Sequence, residues 1–255
     1  MYLLGTGDGT TDGERSHSAT VYRVGQSLLQ IDCGEPAARN FKRAGLSFDA
    51  LDAFILSHLH SDHIGGIFMF LQTCWLEKRT RDLTIYLPAE GIEPLRQMLR
   101  AAYLFDEAIG FSVRFEGLTE RAIQIGSIKV TPFPTTHLER TKKKHEAKYP
   151  NRFDSFSLLV EAEGLRIGHS ADIGAPRDLA PMLNSKLDLL ICELAHFTPD
   201  ELFGFLKGKE IKRLVLTHVT REWLTDKQAL LAQAQKALPN ILVELASDGA
   251  VLKPV

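Results

Sequence analysis

Residues 54–66, FILSHLHSDHIGG, contain the most informative pattern in the chain. His58, His60, Asp62 and His63 lie within six positions, between an apolar run and a pair of glycines. In an extended segment the side chains at i and i+2 point the same way, so His58 and His60 can bind one ion. The segment after His63 predicts a turn into a helix, which directs Asp62 and His63 to a second point. This density of imidazole and carboxylate favours a metal site over four solvated loop residues.

Other polar side chains share a position at the downstream end of an apolar run. His137 follows VTPFPTT, Asp172 follows LRIGHSA, His196 follows LDLLICELA and His218 follows RLVLT. Strand ends lead into loops at one edge of a sheet, where the sites of layered α/β proteins gather. We therefore expect these side chains to meet His58 in one cleft.

The segment 137–153, HLERTKKKHEAKYPNRF, is basic and polar and predicts a long exposed loop between two strands. It contains a second histidine, His145, that can replace His137 as a ligand. His137 is preferred because it ends a strand. The lysines at 142–144 are either solvated or attract an anionic substrate, and we expect the loop to line the substrate entrance.

Short apolar and alternating runs dominate the chain and predict strands. These runs lie at 18–24, 27–32, 52–57, 83–88, 127–133, 155–163, 165–172, 187–194, 213–219 and 240–246. Helices are predicted at 36–44, 63–79, 91–104, 199–207 and 225–238, the last with Thr225 as its N-cap. The helix at 63–79 is apolar on most faces, so it is either deeply buried or covered by a second subunit. The order of elements predicts one mixed α/β domain over residues 1–255, with helices covering sheets.

Composition and charge exclude several classes of protein. The chain has 255 residues, 44% hydrophobic and 24% charged, which is enough for one full core. A net charge of -2 gives no global electrostatic case for a nucleic-acid or membrane partner. Three scattered cysteines favour a reducing, cytoplasmic setting over a disulfide framework. No apolar run approaches the roughly 20 residues of a membrane helix, and the first residues predict no signal peptide.

The hexapeptide at 58–63, HLHSDH, matches the pattern H-x-H-x-D-H, and through it the chain resembles the metallo-β-lactamase superfamily. Residues 3–35 are similar to the opening of ribonuclease Z, the branch that processes tRNA 3′ ends. HSADIGAP, LLICELAHF and LVLTHVT resemble later segments of the same branch. The resemblance therefore runs along almost the whole chain.

The resemblance implies a four-layer αββα sandwich of two mixed β-sheets, with a binuclear metal site between the sheets. It also implies two divalent metal ions as cofactors. Zn²⁺ is the preferred ion, and Mn²⁺ or Fe are the alternatives. Carried over residue by residue, one ion is bound by His58, His60 and His137, the other by Asp62, His63 and His218, and Asp172 bridges both.

Three departures from ribonuclease Z bear on the substrate. The segment 195–223 is much shorter than the matching region, and TREW stands where ribonuclease Z has Ser-Ser-Arg-Tyr. The chain also has no glycine- and proline-rich arm for gripping the tRNA elbow. Together with the near-neutral charge, these departures favour a small phosphodiester, with RNA as the alternative.

The implied activity is hydrolysis of a phosphodiester. Two ions ~3.5–4 Å apart can share a hydroxide that serves as the nucleophile, and they stabilise an anionic transition state. The expected partner is an anionic phosphodiester. We expect the protein to be a homodimer that makes no contact with a membrane. The alternatives are a hydrolase of carboxylic esters, thioesters or lactones on the same centre, and a non-catalytic metal-bound sensor module. A complete ligand set argues against the sensor.

The candidate catalytic residues are Asp62, His196 and Glu193. His196 belongs to no metal set, and an imidazole with an ordinary pKa of ~6.5 suits proton donation to the leaving group; otherwise it caps the next helix. Glu193 either relays a proton or pairs with a basic neighbour. Asp32 either orients a ligand histidine or forms a turn. Three further residues are assigned structural positions: His169 and Cys192 in the core, and His17 in a solvated loop.

Overall fold

Two β-sheets of mixed direction form the centre of the computed structural model, which describes residues 1–253. The first sheet has six strands that lie side by side in chain order: β1 Tyr2–Gly5, β2 Ala19–Val24, β3 Ser27–Ile31, β4 Ala53–Ile55, β5 Leu83–Leu87 and β6 Val113–Gly117. The pairs from β1 to β3 are antiparallel, and those from β3 to β6 are parallel.

The second sheet repeats this plan with seven strands. They are β7 Ile123–Ile125, β8 Ile128–Pro134, β9 Phe156–Ala162, β10 Leu165–His169, β11 Leu187–Leu194, β12 Ile211–Val219 and β13 Leu242–Leu245. The pairs from β7 to β10 are antiparallel, and those from β10 to β13 are parallel.

Helices connect the parallel strands and cover the outer faces of the sheets. The α-helices are α1 Ala37–Arg43, α2 Ser61–Ile64, α3 Ile67–Leu76, α4 Ile92–Ala101, α5 Asp106–Ile109, α6 Glu139–His145, α7 Pro199–Leu206, α8 Arg221–Thr225 and α9 Lys227–Ala237. Short 3-10 helices lie at Phe48–Ala50, Ala89–Gly91 and Pro176–Asn184. No helix within residues 1–253 has the length and apolar character needed to cross a membrane.

Three apolar clusters separate four layers. Side chains along β11 contribute to two of these clusters, because successive side chains of a strand face opposite sides of the sheet. Leu189 and Ile191 lie in the cluster between the two sheets. Leu190 and Cys192 lie in the cluster under α7 and α9. A third cluster fills the space between the first sheet and α1, α3 and α4. The expected αββα sandwich is confirmed.

The ten predicted strands are all present, and three strands were missed. β1, β6 and β7 are short or lie at the ends of the sheets. No residue of β6 is fully buried, and its alternation is limited to two apolar residues, Val113 and Phe115, which is too short to predict a strand.

The single helix predicted at 63–79 is wrong, because the chain forms α2 and α3 with a break at Gly65 and Gly66. The Gly66 amide donates to the Cys33 carbonyl at 2.8 Å. A Cβ at Gly66 would lie 2.8 Å from the Gly34 carbonyl oxygen, so only glycine permits this approach. α3 buries Phe70 on one face and leaves Met69 52% exposed on another.

The loop predicted at 137–153 is also wrong in part, since it contains α6. Glu139 lies in the first turn of this helix and basic side chains fill the last turn, which complements the helix dipole. The predicted N-cap Thr225 is wrong as well. Asp226 caps α9, and its carboxylate accepts a hydrogen bond from the Ala229 amide at 2.9 Å.

Candidate metal centre

The side chains predicted as metal ligands come together at one edge of the two sheets. The segment 58–63 follows β4 of the first sheet, whereas His137 follows β8, Asp172 follows β10 and His218 lies in β12 of the second sheet. They form two overlapping groups whose donor atoms lie within 4.8 Å of one another: His58, His60, His137 and Asp172; and Asp62, His63, Asp172 and His218. Each group draws on both sheets.

Asp172 is common to both groups, and its two oxygens face different histidines. Asp172 Oδ2 lies 3.8 Å from His58 Nε2 and 3.7 Å from His137 Nε2. Asp172 Oδ1 lies 3.3 Å from His63 Nε2 and 3.6 Å from His218 Nδ1. The carboxylate is therefore placed to be shared between two cations.

The donor atoms fit a cation because several of them have no hydrogen-bond partner. His58 Nε2, His63 Nε2, Asp172 Oδ1 and His218 Nδ1 are buried and make no hydrogen bond within residues 1–253. An unsatisfied buried polar group costs about 1–3 kcal/mol. Imidazole nitrogens and carboxylate oxygens are ligands of zinc, manganese and iron, so one cation in each group would satisfy these atoms.

The protonation states differ between the two groups. Burial and the neighbouring His63 hold the pKa of His58 well below its ordinary value, and burial lowers the pKa of His137 to about 3. These rings are neutral and offer lone pairs. Burial would raise the pKa of Asp172, but the charges of His218 and His63 hold it well below its usual range. Burial lowers the pKa of His218 and Asp172 raises it above the ordinary value, so a cation there would displace a proton.

Asp32 supports one histidine of each group, His63 directly and His58 through Ser57. Of the two roles expected for Asp32, orienting a histidine or forming a turn, the structure therefore supports the first. Asp32 Oδ2 lies 2.7 Å from His63 Nδ1. The Ser57 hydroxyl donates to Asp32 Oδ2 at 3.0 Å and lies 3.1 Å from His58 Nδ1. Hydrogen bonds at Nδ1 leave Nε2 of both rings for the centre. Ser57 was missed in the sequence, where its only signal is its place between the apolar strand and His58.

His196 and Glu193 form a pair beside the first group. The Glu193 side chain is fully buried and accepts hydrogen bonds from the Ile173 amide at 2.9 Å and the Ala195 amide at 2.8 Å. Glu193 Oε1 lies 2.8 Å from His196 Nδ1. Burial lowers the pKa of His196, but Glu193 raises it above the ordinary value. His196 Nε2 lies 3.9 Å from Asp172 Oδ2, with the ring 35% exposed.

The remaining histidines lie outside the two groups. His145 is on α6, beside the ring of Tyr149. His169 is in the core, where its Nδ1 lies 2.9 Å from the Tyr22 hydroxyl. His17 is not simply solvated, since its Nδ1 lies 2.8 Å from the Asp8 carbonyl.

The backbone at the centre is strained. Asp32, Ala171 and His218 have φ angles of 57°, 47° and 48°. Non-glycine residues rarely adopt this left-handed region, and sites held in it cost on the order of 1–3 kcal/mol each. His218 belongs to the second group, Ala171 directly precedes Asp172, and Asp32 contacts His63, so these three strained residues lie at the site.

A cavity of about 1070 Å³ adjoins Asp62 and runs along α1. Arg15, Arg39 and Arg43 are among its lining residues, with Glu14 and Glu35. The charges of this lining are mixed. The volume is close to the upper end of the range for small-molecule sites, and Asp62 is the one candidate ligand among the described residues that line the cavity.

The fold, the donor set and the known relatives together define a metal-dependent hydrolase of the metallo-β-lactamase superfamily, in its ribonuclease Z-like branch. Within it, the chain belongs to the family described as Anti-Pycsar protein Apyc1, whose model matches residues 1–234.

Known proteins resemble the chain over nearly its full length. The ribonuclease Z of Halorubrum lacusprofundi is 29% identical, over 98% of this chain and 96% of the relative. The metallo-β-lactamase fold protein YhfI from Bacillus subtilis superimposes with a TM-score of 0.78 at 20% identity, covering 98% and 96% of the two chains. The short form of human tRNase Z gives 0.74 at 22% identity, covering 100% and 98%.

Proposed function

We propose that the chain is a binuclear metal-dependent phosphodiesterase. The observation that carries the proposal is Asp172, whose two oxygens face two separate groups of histidines. In the proposal, His58, His60 and His137 would hold one Zn²⁺ ion, Asp62, His63 and His218 would hold a second, and Asp172 would contribute to both. When bound, such ions supply Lewis acidity and lower the pKa of water to ~7.

The side chains around the ions handle protons and position the substrate. Asp62 is 11% exposed, lines the large cavity and can accept a proton from the attacking water. His196 Nε2 donates a proton to the oxygen of the leaving group. Glu193 holds His196 through Nδ1, so that Nε2 carries the proton towards the substrate.

The substrate in this proposal is a small phosphodiester. The cavity beside Asp62 has the volume of a small-molecule site, and its mixed charges do not form a track for a nucleic-acid backbone. The relatives named ribonuclease Z act, by that name, on RNA. RNA is therefore the alternative substrate that the test must include.

Hydrolysis of bis-p-nitrophenyl phosphate, compared with a panel of thioesters and lactones, tests the reaction type. We expect turnover of the phosphodiester and of no carboxylic substrate. A linear dinucleotide, a cyclic nucleotide and a precursor tRNA, assayed under the same conditions, then rank substrates by size. Turnover of only thioesters or lactones would replace the proposal with the ester hydrolase, and turnover of none would favour a sensor module.

Helix α6 is proposed to attract the anionic substrate. It begins two residues after His137 and carries exposed lysines at 142–144. Replacing these three lysines with glutamine should lower kcat/KM by roughly tenfold at low salt and flatten its salt dependence, because steering acts on association. Rates measured between low and high salt check this.

The matched control replaces Lys186, Lys207 and Lys209, which are equally exposed. They precede β11 and β12 at the end opposite the ligands, so the net charge changes equally but the steering is expected to persist. Equal effects from both triple variants would mean that only net charge matters.

We further propose a homodimer in the cytoplasm. The exposed apolar side chains Met69, Trp75 and Leu76 on α3 support a covered face. The free, buried Cys33, Cys74 and Cys192 agree with a reducing compartment. Sedimentation velocity of the purified chain checks the dimer, and a monomer at micromolar concentration would overturn it.

A further inference from the structure

One buried carboxylate outside the ligand set joins two of the segments that carry ligands. Asp178 lies in the 3-10 helix Pro176–Asn184 and is 8% exposed. Its Oδ2 accepts hydrogen bonds from the Thr136 amide at 2.9 Å, the Thr136 hydroxyl at 2.9 Å and the Gly174 amide at 3.0 Å. Thr136 directly precedes His137, and Gly174 lies two residues after Asp172.

The two segments also touch each other closely at this point. A Cβ placed on Gly174 would lie 2.3 Å from the Thr136 hydroxyl and 2.6 Å from the Thr136 carbonyl carbon. The Thr135 hydroxyl donates to the Asp172 carbonyl at 3.2 Å. The backbone before His137 is therefore fixed against the backbone around Asp172, and Asp178 is the group that both segments share.

Asp178 forms no ion pair within residues 1–253, so charge pairing does not explain it. Its partners are two backbone amides and a hydroxyl. Asp178 therefore accepts hydrogen bonds from amides that no strand pairing satisfies. Burying a carboxylate costs free energy unless hydrogen bonds compensate. All three of these hydrogen bonds hold the segments that carry the ligands in place.

We propose that Asp178 is a positioning residue that sets the distance between His137 and Asp172. It thereby controls the affinity of the group containing His58, His60 and His137 for its ion. This inference rests on the proposed metal assignment.

The effect is selective for one ion because the two segments are anchored differently. The Asp172 segment keeps a second anchor, since the Ile173 amide donates to Glu193 at 2.9 Å. Within residues 1–253 the Thr136 amide, directly before His137, has Asp178 as its acceptor, and the next anchor of this segment is the Thr135 amide, which donates to the Ser155 carbonyl at 2.9 Å. Loss of Asp178 thus releases His137 more than Asp172, and leaves His63 with its own support from Asp32.

The test measures the two stepwise dissociation constants for Zn²⁺ by chelator competition, in wild type, Asp178→Asn and His137→Ala. We expect Asp178→Asn to weaken one constant by ~10–100-fold, the same constant that His137→Ala weakens, and to leave the other within about threefold. A merely structural role would weaken both alike. The matched control is Asp188→Asn, another partly buried aspartate, which accepts from the Arg166 amide at 2.9 Å. Both of its constants should stay at wild-type values.

The outcomes separate the inference from the proposed function. Two unchanged constants in Asp178→Asn, or two equally weakened ones, would overturn the inference. A wild-type chain that binds fewer than two ions would overturn the metal assignment itself. If Asp178→Asn does not fold, Thr136→Val and Thr136→Ser decide. The valine, which lacks the hydroxyl donor, should weaken the same constant by about five- to tenfold, consistent with one lost hydrogen bond. The serine should stay within about threefold of wild type, and equal behaviour of the two variants would overturn the inference.

Discussion

Asp172→Ala is expected to lose both ions and nearly all activity. Wild-type protein purified without chelator should contain about two transition-metal ions per chain by elemental analysis, and the variant fewer than one. Asp172 supplies an oxygen to each group, and no other buried carboxylate in the two groups faces both. Bound ions contribute several kcal/mol to transition-state stabilisation, so phosphodiester turnover should fall by about 10³-fold or more.

Asp188→Ala provides the comparison for this substitution. Asp188 lies on β11 at the end away from the ligands, and its loss should leave metal content and turnover unchanged. Circular dichroism verifies that both variants are folded. The binuclear proposal fails if the Asp172→Ala chain still holds two ions, or if active wild type holds at most one.

His196→Ala is expected to slow turnover without removing metal. For an alkyl phosphodiester, whose leaving oxygen needs a proton, kcat should fall by ~10²–10⁴-fold. For bis-p-nitrophenyl phosphate the loss should be much smaller, because p-nitrophenolate leaves without a proton. Steady-state kinetics with both substrates, alongside metal analysis, measure the difference.

Thr198→Ala separates proton donation from helix capping. The Thr198 hydroxyl accepts from the Glu201 amide at 3.3 Å and caps α7, so this variant removes the cap and leaves His196 in place. It should be slightly less stable, by about 1 kcal/mol, with normal kcat. Full activity of His196→Ala on alkyl diesters, or loss of its metal, would refute the general-acid assignment.

Local pattern was enough to predict the strands that are buried on both faces. The bounds of β11, Leu187–Leu194, agree with the sequence because residues 189–192 are all apolar and both faces meet apolar layers. The edge strand β6 could not be predicted from an apolar run. Such runs reflect burial, and much of β6 is exposed.

Contacts between distant segments explain the other differences. The break before α3 depends on Gly66 meeting Gly34, 32 residues earlier, which no local pattern records. The support of His63 by Asp32 spans 31 residues in the same way. The segment 58–63 was recognisable because four candidate ligands lie within six residues. The hydrogen bonds of Asp178 depend on how two distant loops meet in the folded chain, which the sequence does not show.

Because the ligands are divided between the sheets, neither half of the chain holds a complete set. The first sheet supplies His58, His60, Asp62 and His63, and the second supplies His137, Asp172 and His218. A growing chain that has formed only its first sheet therefore has histidines but no shared carboxylate. In the binuclear proposal, tight metal uptake would follow the association of the two halves, and bound ions would mark chains whose folding is complete.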